Sequence, residues 1–194
     1  VFLIYLKSHP KKLFKKMIRK GGLCYIMDND ERNQYVKVAM TKALLELLNT
    51  KNLKDIKISE ITEKAQVGRV SFYRNYKDKE DILKQYLDKI IKEWKLQDQM
   101  PFELIMKTLF EHLVAYKDFY ILLYQKDLFY LFRNTLKKLM IQDNQLSNPE
   151  AYAVAYMTYG IYGWIKEWIA RGMQESPDDI YAFMEAQKTD KSHI

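Results

Sequence analysis

KISEITEKAQVGRVSFYRNYKDKEDIL, residues 57–83, is the stretch that decides the fold of this chain. Apolar residues recur at helical spacing over residues 58–65 and predict a helix with one apolar face. Residues 66–68 are expected to form a turn, and residues 69–75 a second short helix. Two short helices that cross steeply through such a turn form a helix-turn-helix, whose second helix enters the major groove of DNA.

The ends of this motif carry recognisable packing and capping residues. Phe72 and Tyr76 are expected to point inward from the second helix, with Val67 at the corner of the turn. Asp78 offers a side-chain oxygen that can cap a third helix. Asp81 then lies in the first turn of that helix, where negative charge is favourable.

Residues 61–76, with Lys79-Glu80 and Leu83, resemble the N-terminal domain of TetR-family regulators. The family usually reads I-A-x-x-A-G-V-S-x-x-T-[FL]-Y-x-H-F-x-x-K-E-x-L. Gln66 replaces the usual turn glycine, and a left-handed residue there carries a cost of roughly 1 kcal/mol. Gly68 replaces the usual Ser cap, which Gly tolerates well. Lys57 replaces a capping Ser or Thr, and Ser59 is an alternative cap.

Composition predicts an all-α protein, because the chain has only four prolines and six glycines, with much Leu, Ile, Lys, Glu and Tyr. Its 48% hydrophobic residues are enough for a core. The expected domains are a DNA-binding domain at residues 27–92, with its helix-turn-helix at about 57–76, and a C-terminal regulatory and dimerisation domain at residues 93–187. Residues 1–26 hold seven basic and no acidic side chains. We expect a non-native or disordered extension there, with translation starting at Met27. A basic arm on DNA or a membrane-surface anchor is the functional alternative.

The positive charge of the rest of the chain is local. Residues 51–79 contain eight basic and four acidic residues, which suits a DNA-contact face. Ordinary scatter of surface charge is the alternative explanation.

The sequence lacks the signatures of other classes of protein. Cys24 is the single cysteine, so no disulfide can form within the chain, which fits a reducing cytoplasm. The three histidines are far apart and have no metal-ligand spacing. The opening apolar run is too short to span a membrane. We therefore expect no enzyme, no cofactor, no metal and no membrane association.

The C-terminal half predicts further helices. A first helix is expected over residues 33–48 and a long one from Lys79. Aromatic-rich helices are expected over residues 102–115, 119–125 and 128–140. Helix starts at Asn148-Pro149-Glu150 and Ser176-Pro177-Asp178 follow, and the helix of about 22 residues between them is expected to close at Gly172.

Residues 151–165 are uncharged, so core or a partner must cover that helix. Gly160 and Gly163 would permit close approach of another helix. Residues 160–180 resemble a TetR subgroup that includes the activator of a dihydroxyacetone kinase operon. The family resemblance implies a four-helix dimer interface from the last two helices of each subunit, and an effector pocket. Intramolecular core is the alternative for the apolar helix and for the aromatic residues.

DNA contacts are predicted for seven residues: Arg69, Val70, Ser71, Tyr73, Asn75, Lys79 and Lys57. Arg69 can bridge guanine acceptors and Val70 can touch a thymine methyl. Lys79 is expected at a helix N-terminus, where a phosphate is favourable. The family resemblance implies a phosphate contact for the Tyr73 hydroxyl. The alternative for Arg69 and Lys79 is a solvated surface position.

These patterns predict a homodimeric transcriptional regulator, expected to be a repressor, that binds a near-palindromic operator in double-stranded DNA. An effector in the C-terminal domain would shift the spacing of the two DNA-binding heads. The alternative is a co-activator whose C-terminal domain binds a partner protein instead of a small molecule.

Overall fold

The computed structural model describes residues 29–95, 102–141 and 146–189. These residues form α-helices and one short 3₁₀ helix, with no β-strand among them. The predicted all-α class is confirmed. The expected extension at residues 1–26 lies outside the described residues.

Nine α-helices follow one another along the described part of the chain. They are α1 (Asn29–Leu48), α2 (Ile58–Lys64), α3 (Arg69–Asn75), α4 (Lys79–Lys95), α5 (Phe102–Ala115), α6 (Lys117–Gln125), α7 (Tyr130–Met140), α8 (Asn148–Ala170) and α9 (Pro177–Thr189). The 3₁₀ helix, Leu53–Asp55, lies between α1 and α2.

Contacts divide the described residues into two compact units, with the division between Ile82 and Leu83. The division falls inside the continuous helix α4. The domain limits expected from sequence therefore remain predictions.

In the first unit, α1, α2 and α3 all contact one another. Helix α1 buries one stripe of side chains: Val36, Met40, Ala43, Leu44 and Leu48. Leu48 takes the buried place that the sequence assigned to Leu47, which is only half-buried. The helix also begins at Asn29 rather than at residue 33, and Asp30 and Glu31 in its first turn favour that earlier start.

The turn between α2 and α3 begins with a residue in the left-handed backbone conformation, which follows the end of α2. Gln66, at the place of the family's turn glycine, has φ 55° and is left-handed. The Val67 N–H donates to Thr62 O at 3.0 Å and the Gln66 N–H to Glu63 O at 3.0 Å, which satisfies two terminal carbonyls of α2. These bonds hold a residue whose left-handed backbone costs about 1 kcal/mol.

Helix α2 begins differently from the sequence prediction. Lys57, not Ser59, occupies the N-cap position, and its backbone N–H donates to Glu60 Oε2 at 2.9 Å. Ser59 lies inside the helix and accepts a hydrogen bond from the Thr62 hydroxyl at 3.0 Å through its carbonyl. Lysine has no acceptor, so Glu60 supplies the side-chain half of this cap.

The second unit is built around aromatic side chains. Helix α8 contacts α7 and α6, while α5 contacts α6 and α9. The Phe110 and Trp168 rings meet edge to face at 5.5 Å, and the Tyr120 and Phe132 rings do so at 5.4 Å. All four side chains are buried, so these aromatic residues include a true core.

The starts of two helices in this unit differ from the predicted boundaries. Helix α6 begins at Lys117, two residues earlier than predicted, and α7 at Tyr130, two residues later. Asp127 between them is left-handed, with φ 57°, and the Leu128 N–H donates to Leu123 O at 2.8 Å. This closing bond leaves Leu128 outside α7.

Helix α8 starts one residue earlier than predicted. Its N-cap is Ser147 rather than Asn148, because Ser147 forms hydrogen bonds with Glu150 through its N–H and its hydroxyl, at 2.8 and 2.7 Å. Its C-terminus closes at Gly172, φ 84°, as predicted. Ser176 caps α9 as predicted and accepts the Asp179 N–H at 3.1 Å.

Candidate nucleic-acid interface

Helix α3 is fixed to the first unit by its inner face. Phe72 is completely buried and Tyr76, directly after the helix, is 4% exposed, as predicted. Burial of the Tyr76 ring raises the pKa of its hydroxyl to about 12, against a smaller opposite effect of its hydrogen bond with Thr41. The Thr41 hydroxyl is bonded in turn to Lys37 O at 2.8 Å. The orientation of α3 is therefore set by α1.

The outer face of α3 carries the residues predicted to read bases. Arg69 is exposed, Val70 is 64% exposed, and Tyr73 is 59% exposed. The Tyr73 ring rests edge to face on Phe72, with centroids 5.3 Å apart. This face offers guanidinium donors, an apolar group and a phenolic hydroxyl, the chemistry that recognises guanine edges, thymine methyls and phosphates.

Two further predicted residues lie farther from the surface. Ser71 and Asn75 are half-buried. Asn75 Nδ2 donates to Ser71 O at 2.8 Å, within α3 itself. Their DNA contacts stay predictions, and this hydrogen bond gives Asn75 a local role in the helix.

Arg74 was missed by the sequence analysis. It is exposed and lies one helical turn after Val70, on the same side of α3. Its spacing of four residues from Val70 could have indicated this position, but the family pattern has no fixed residue there. Its position toward the end of the helix suits a backbone contact better than a base contact.

Lys57 is exposed at the start of α2. Its backbone amide is bonded to Glu60, which also pairs with Lys51. The Lys51 hydrogen bond, followed by that of the Lys57 amide, lowers the pKa of Glu60 below its usual value. The side chain of Lys57 thus stands beside an acidic group, and its predicted DNA contact is untested.

Lys79 lies at the N-terminus of α4, as predicted, and Asp78 caps that helix by accepting the Asp81 N–H at 2.8 Å. Its ammonium, however, donates to the carbonyl oxygens of Leu53, Lys54 and Ile56, at 2.6, 3.2 and 2.6 Å. Sequence reasoning placed this group on a phosphate. The structure shows it engaged with the chain's own backbone.

One face of α8 in the second unit exposes three tyrosine side chains, and the Arg133 guanidinium lies over one of them, 5.7 Å from the centre of the Tyr159 ring. Tyr152, Tyr156 and Tyr159 are 76, 80 and 58% exposed and follow one another at helical spacing. Gly160 and Gly163 are exposed on the same helix. The buried residues of α8 form a different stripe: Thr158, Ile161, Ile165, Trp168 and Ile169. These exposed rings lie apart from the buried stripe of the same helix.

Two parts of the sequence match profiles of a known protein family. Residues 41–86 match the profile of "Bacterial regulatory proteins, tetR family", and residues 102–186 match that of "Transcriptional regulator C-terminal region" of the same family. The chain belongs to the TetR family of transcriptional regulators. No curated protein matches the sequence.

Solved structures agree with the TetR fold. A TetR transcriptional regulator from Streptococcus agalactiae is similar with a TM-score of 0.59 and 21% identity, over 79% of this chain and 93% of that one. The dihydroxyacetone kinase operon activator DhaS is similar with a TM-score of 0.52 and 19% identity, over 78% and 93%. The fatty acid degradation regulator FadR from Bacillus halodurans has a TM-score of 0.52 and 11% identity, over 90% and 99%. At these identities the similarity concerns the fold.

The described helices and side chains of this TetR-family chain bear on two other site types, a membrane span and a metal site. No described helix is both long and apolar enough to cross a membrane. Within residues 29–95, 102–141 and 146–189, no cluster of three His, Cys, Asp or Glu side chains could hold a metal.

Proposed function

We propose that this TetR-family regulator binds a near-palindromic operator as a homodimer and acts as a repressor controlled through its C-terminal region. The main support for the proposal is that α3 has one buried face and one exposed face. Its inner face is anchored by Phe72, and its outer face presents Arg69, Val70 and Tyr73 to solvent.

In the proposed complex the N-terminal end of α3 enters the major groove. Arg69 would donate to the O6 and N7 acceptors of a guanine and Val70 would contact a thymine methyl. Tyr73 would donate its hydroxyl to a phosphate, and Arg74 would neutralise another. Two such helices in a dimer would read half-sites about 34–36 Å apart. No enzymatic step is involved, and a DNA target favours a cytoplasmic location.

The exposed stripe of α8 supports the homodimer. Tyr152, Tyr156 and Tyr159 expose apolar rings that a second copy of the chain would cover. The exposed glycines, Gly160 and Gly163, would let a partner helix approach closely. Phe183 on α9 is also 53% exposed, in line with a bundle formed by the last two helices of each subunit.

Control through the C-terminal region has two forms in this proposal. The first is a small effector, and the second is a partner protein bound by a co-activator. The likeness to the activator DhaS concerns fold at 19% identity and favours neither form. A screen for small molecules that release the protein from its operator, beside a search for a stoichiometric protein partner, separates the two.

The test of the DNA-binding proposal is selection of bound sequences from a random duplex pool. We expect an enriched near-palindrome whose half-sites are separated by about one helical turn. A consensus without two-fold symmetry would contradict the dimer, and no enrichment would contradict operator recognition. Lower expression of a reporter that carries the selected site in its promoter would support repression, and higher expression would contradict it.

A further inference from the structure

Lys79 is the first residue of α4, yet its side chain reaches the segment that precedes α2. Its Nζ lies 2.6 Å from Leu53 O, 3.2 Å from Lys54 O and 2.6 Å from Ile56 O. A lysine ammonium has three N–H donors and no acceptor, so three carbonyls saturate it. The ammonium is thus fully used within the first unit.

The three carbonyls need such a partner. They belong to the 3₁₀ helix Leu53–Asp55 and to Ile56, which directly follows it. Leu53 O already accepts the Ile56 N–H at 3.3 Å. The last carbonyls at the C-terminal end of a helix lack donors within that helix and carry partial negative charge. The ammonium supplies both the missing donors and the opposite charge.

The contact joins the two ends of the helix-turn-helix. Ile56 immediately precedes Lys57, the N-cap of α2. Lys79 follows the end of α3 by a few residues, and the Lys77 N–H and the Asp81 carboxylate hold this connection with a 3.0 Å hydrogen bond. One side chain therefore fastens the segment in front of α2 to the start of the helix behind α3.

We propose that Lys79 is a positioning residue, whose ammonium clamps both ends of the helix-turn-helix and does not contact a DNA phosphate. To reach a phosphate, the ammonium would have to give up three hydrogen bonds to carbonyls, two of them in part-buried contacts. The consequence for DNA reading rests on the proposed function, whereas the clamp itself can be tested without DNA.

The experiment separates N–H donation from charge. In a Cys24→Ser background, which removes the single native cysteine, Lys79→Cys is prepared in three forms. The first is unmodified. The second is aminoethylated, which restores an ammonium at lysine length. The third carries the trimethylammonium analogue, which has the same charge but no N–H donor. Alkylation in denaturant followed by refolding yields the last two even if the unmodified form does not fold.

The readout is amide hydrogen exchange at Ile56 and Ile61 in the DNA-free protein. These amides donate to Leu53 O and Lys57 O and report on the 3₁₀ helix and on α2. We expect exchange at least about tenfold faster in the unmodified and trimethylated forms than in the aminoethylated form. Equal exchange in the trimethylated and aminoethylated forms would overturn the proposal, because charge alone would then suffice.

Lys77→Cys, treated in the same three ways, is the matched control. Lys77 is exposed two residues earlier in the chain. Its three forms should exchange alike at Ile56 and Ile61. Differences as large as those at position 79 would mean that the alkyl groups themselves disturb the region, and the clamp would lose its support.

A salt series with a mixed-sequence duplex gives the second readout. The slope of log affinity against log salt should be the same for the parent and the trimethylated form, since neither places this group on a phosphate. A slope reduced by about 0.9 in the unmodified form, and restored by both alkylations, would indicate a lost phosphate contact and overturn the proposal. Failure of the parent protein to bind any duplex would count against the proposed function and leave the exchange result intact.

Discussion

Arg69 is the residue whose side chain carries most of the proposed base recognition. It opens α3 and is exposed, and Val70 beside it is exposed as well. The N-terminal residues of a recognition helix are those that contact base edges. The guanidinium of Arg69 is therefore the group most suited to select a guanine in each half-site.

Replacing Arg69 with Ala should weaken binding to the selected operator by about 1–3 kcal/mol and relax the preference at one position of each half-site. Binding titrations on the operator and on its single-base variants measure both effects. Arg74→Ala is the control from the same helix. It should weaken operator and scrambled duplex alike and lower the salt slope by about one unit. If Arg74→Ala changed the base preference and Arg69→Ala weakened both duplexes equally, the proposed orientation of the recognition helix would be wrong.

At the scale of elements, α5 and α6 are joined by a buried polar pair. His112 Nε2 and the Tyr120 hydroxyl lie 2.9 Å apart, and the rings of Trp94 and Tyr116 lie beside His112. Burial lowers the pKa of His112 from 6.5 to about 4. The imidazole is thus neutral in the folded protein at pH 7.

This shift makes the stability of the second unit depend on pH. Between pH 6.5 and 4 the unfolded chain binds a proton at His112 that the folded chain does not, so stability falls as pH falls. From pH 7 to pH 5 this linkage should cost about 2 kcal/mol. His112→Gln lacks the titrating group, so its denaturation midpoint should fall less over this range.

Denaturant unfolding followed by tryptophan fluorescence measures the difference, since Trp94 lies beside His112. Direct titration of the His112 ring by NMR provides the check. A parallel pH dependence of parent and variant, or a folded-state pKa near 6.5, would contradict the assignment.

At the scale of the whole molecule, operator affinity depends on whether two chains associate. A single chain carries one copy of α3 and can read one half-site. The exposed stripe of α8 is where association is proposed. A Cβ added at Gly163 would meet nothing within 4 Å in its own chain, so this position reports on a partner without disturbing the monomer core.

Gly163→Leu should leave each chain folded or slightly stabilised, because Gly in a helix costs about 1 kcal/mol relative to better helix formers. The same change should weaken the dimer by about 1–3 kcal/mol if another helix packs closely there. Sedimentation over a concentration series measures association, and thermal denaturation at low concentration checks the fold. Unchanged association would place the subunit contact on a different surface.

The sequence by itself determined the features that rest on neighbours within four or five residues. Composition predicted the all-α class, and the helix-turn-helix pattern of residues 57–83 predicted α3. The caps at Asp78 and Ser176 also followed from local chemistry. The physical reason is that helix hydrogen bonds, capping and turn conformations are all short-range along the chain.

Tertiary structure alone decided the features that depend on distant partners. Every residue has the same backbone carbonyl, so the residue types in the sequence do not show which carbonyls bind a distant side chain. The three that accept hydrogen bonds from Lys79 lie 23 to 26 residues away from it. Residues 151–165 lack any charge, so periodicity could not tell the buried stripe of α8 from the exposed one. The packing of α6 and α7 against α8 determines which stripe is buried. It removes one apolar stripe from water and leaves Tyr152 and Tyr156 exposed.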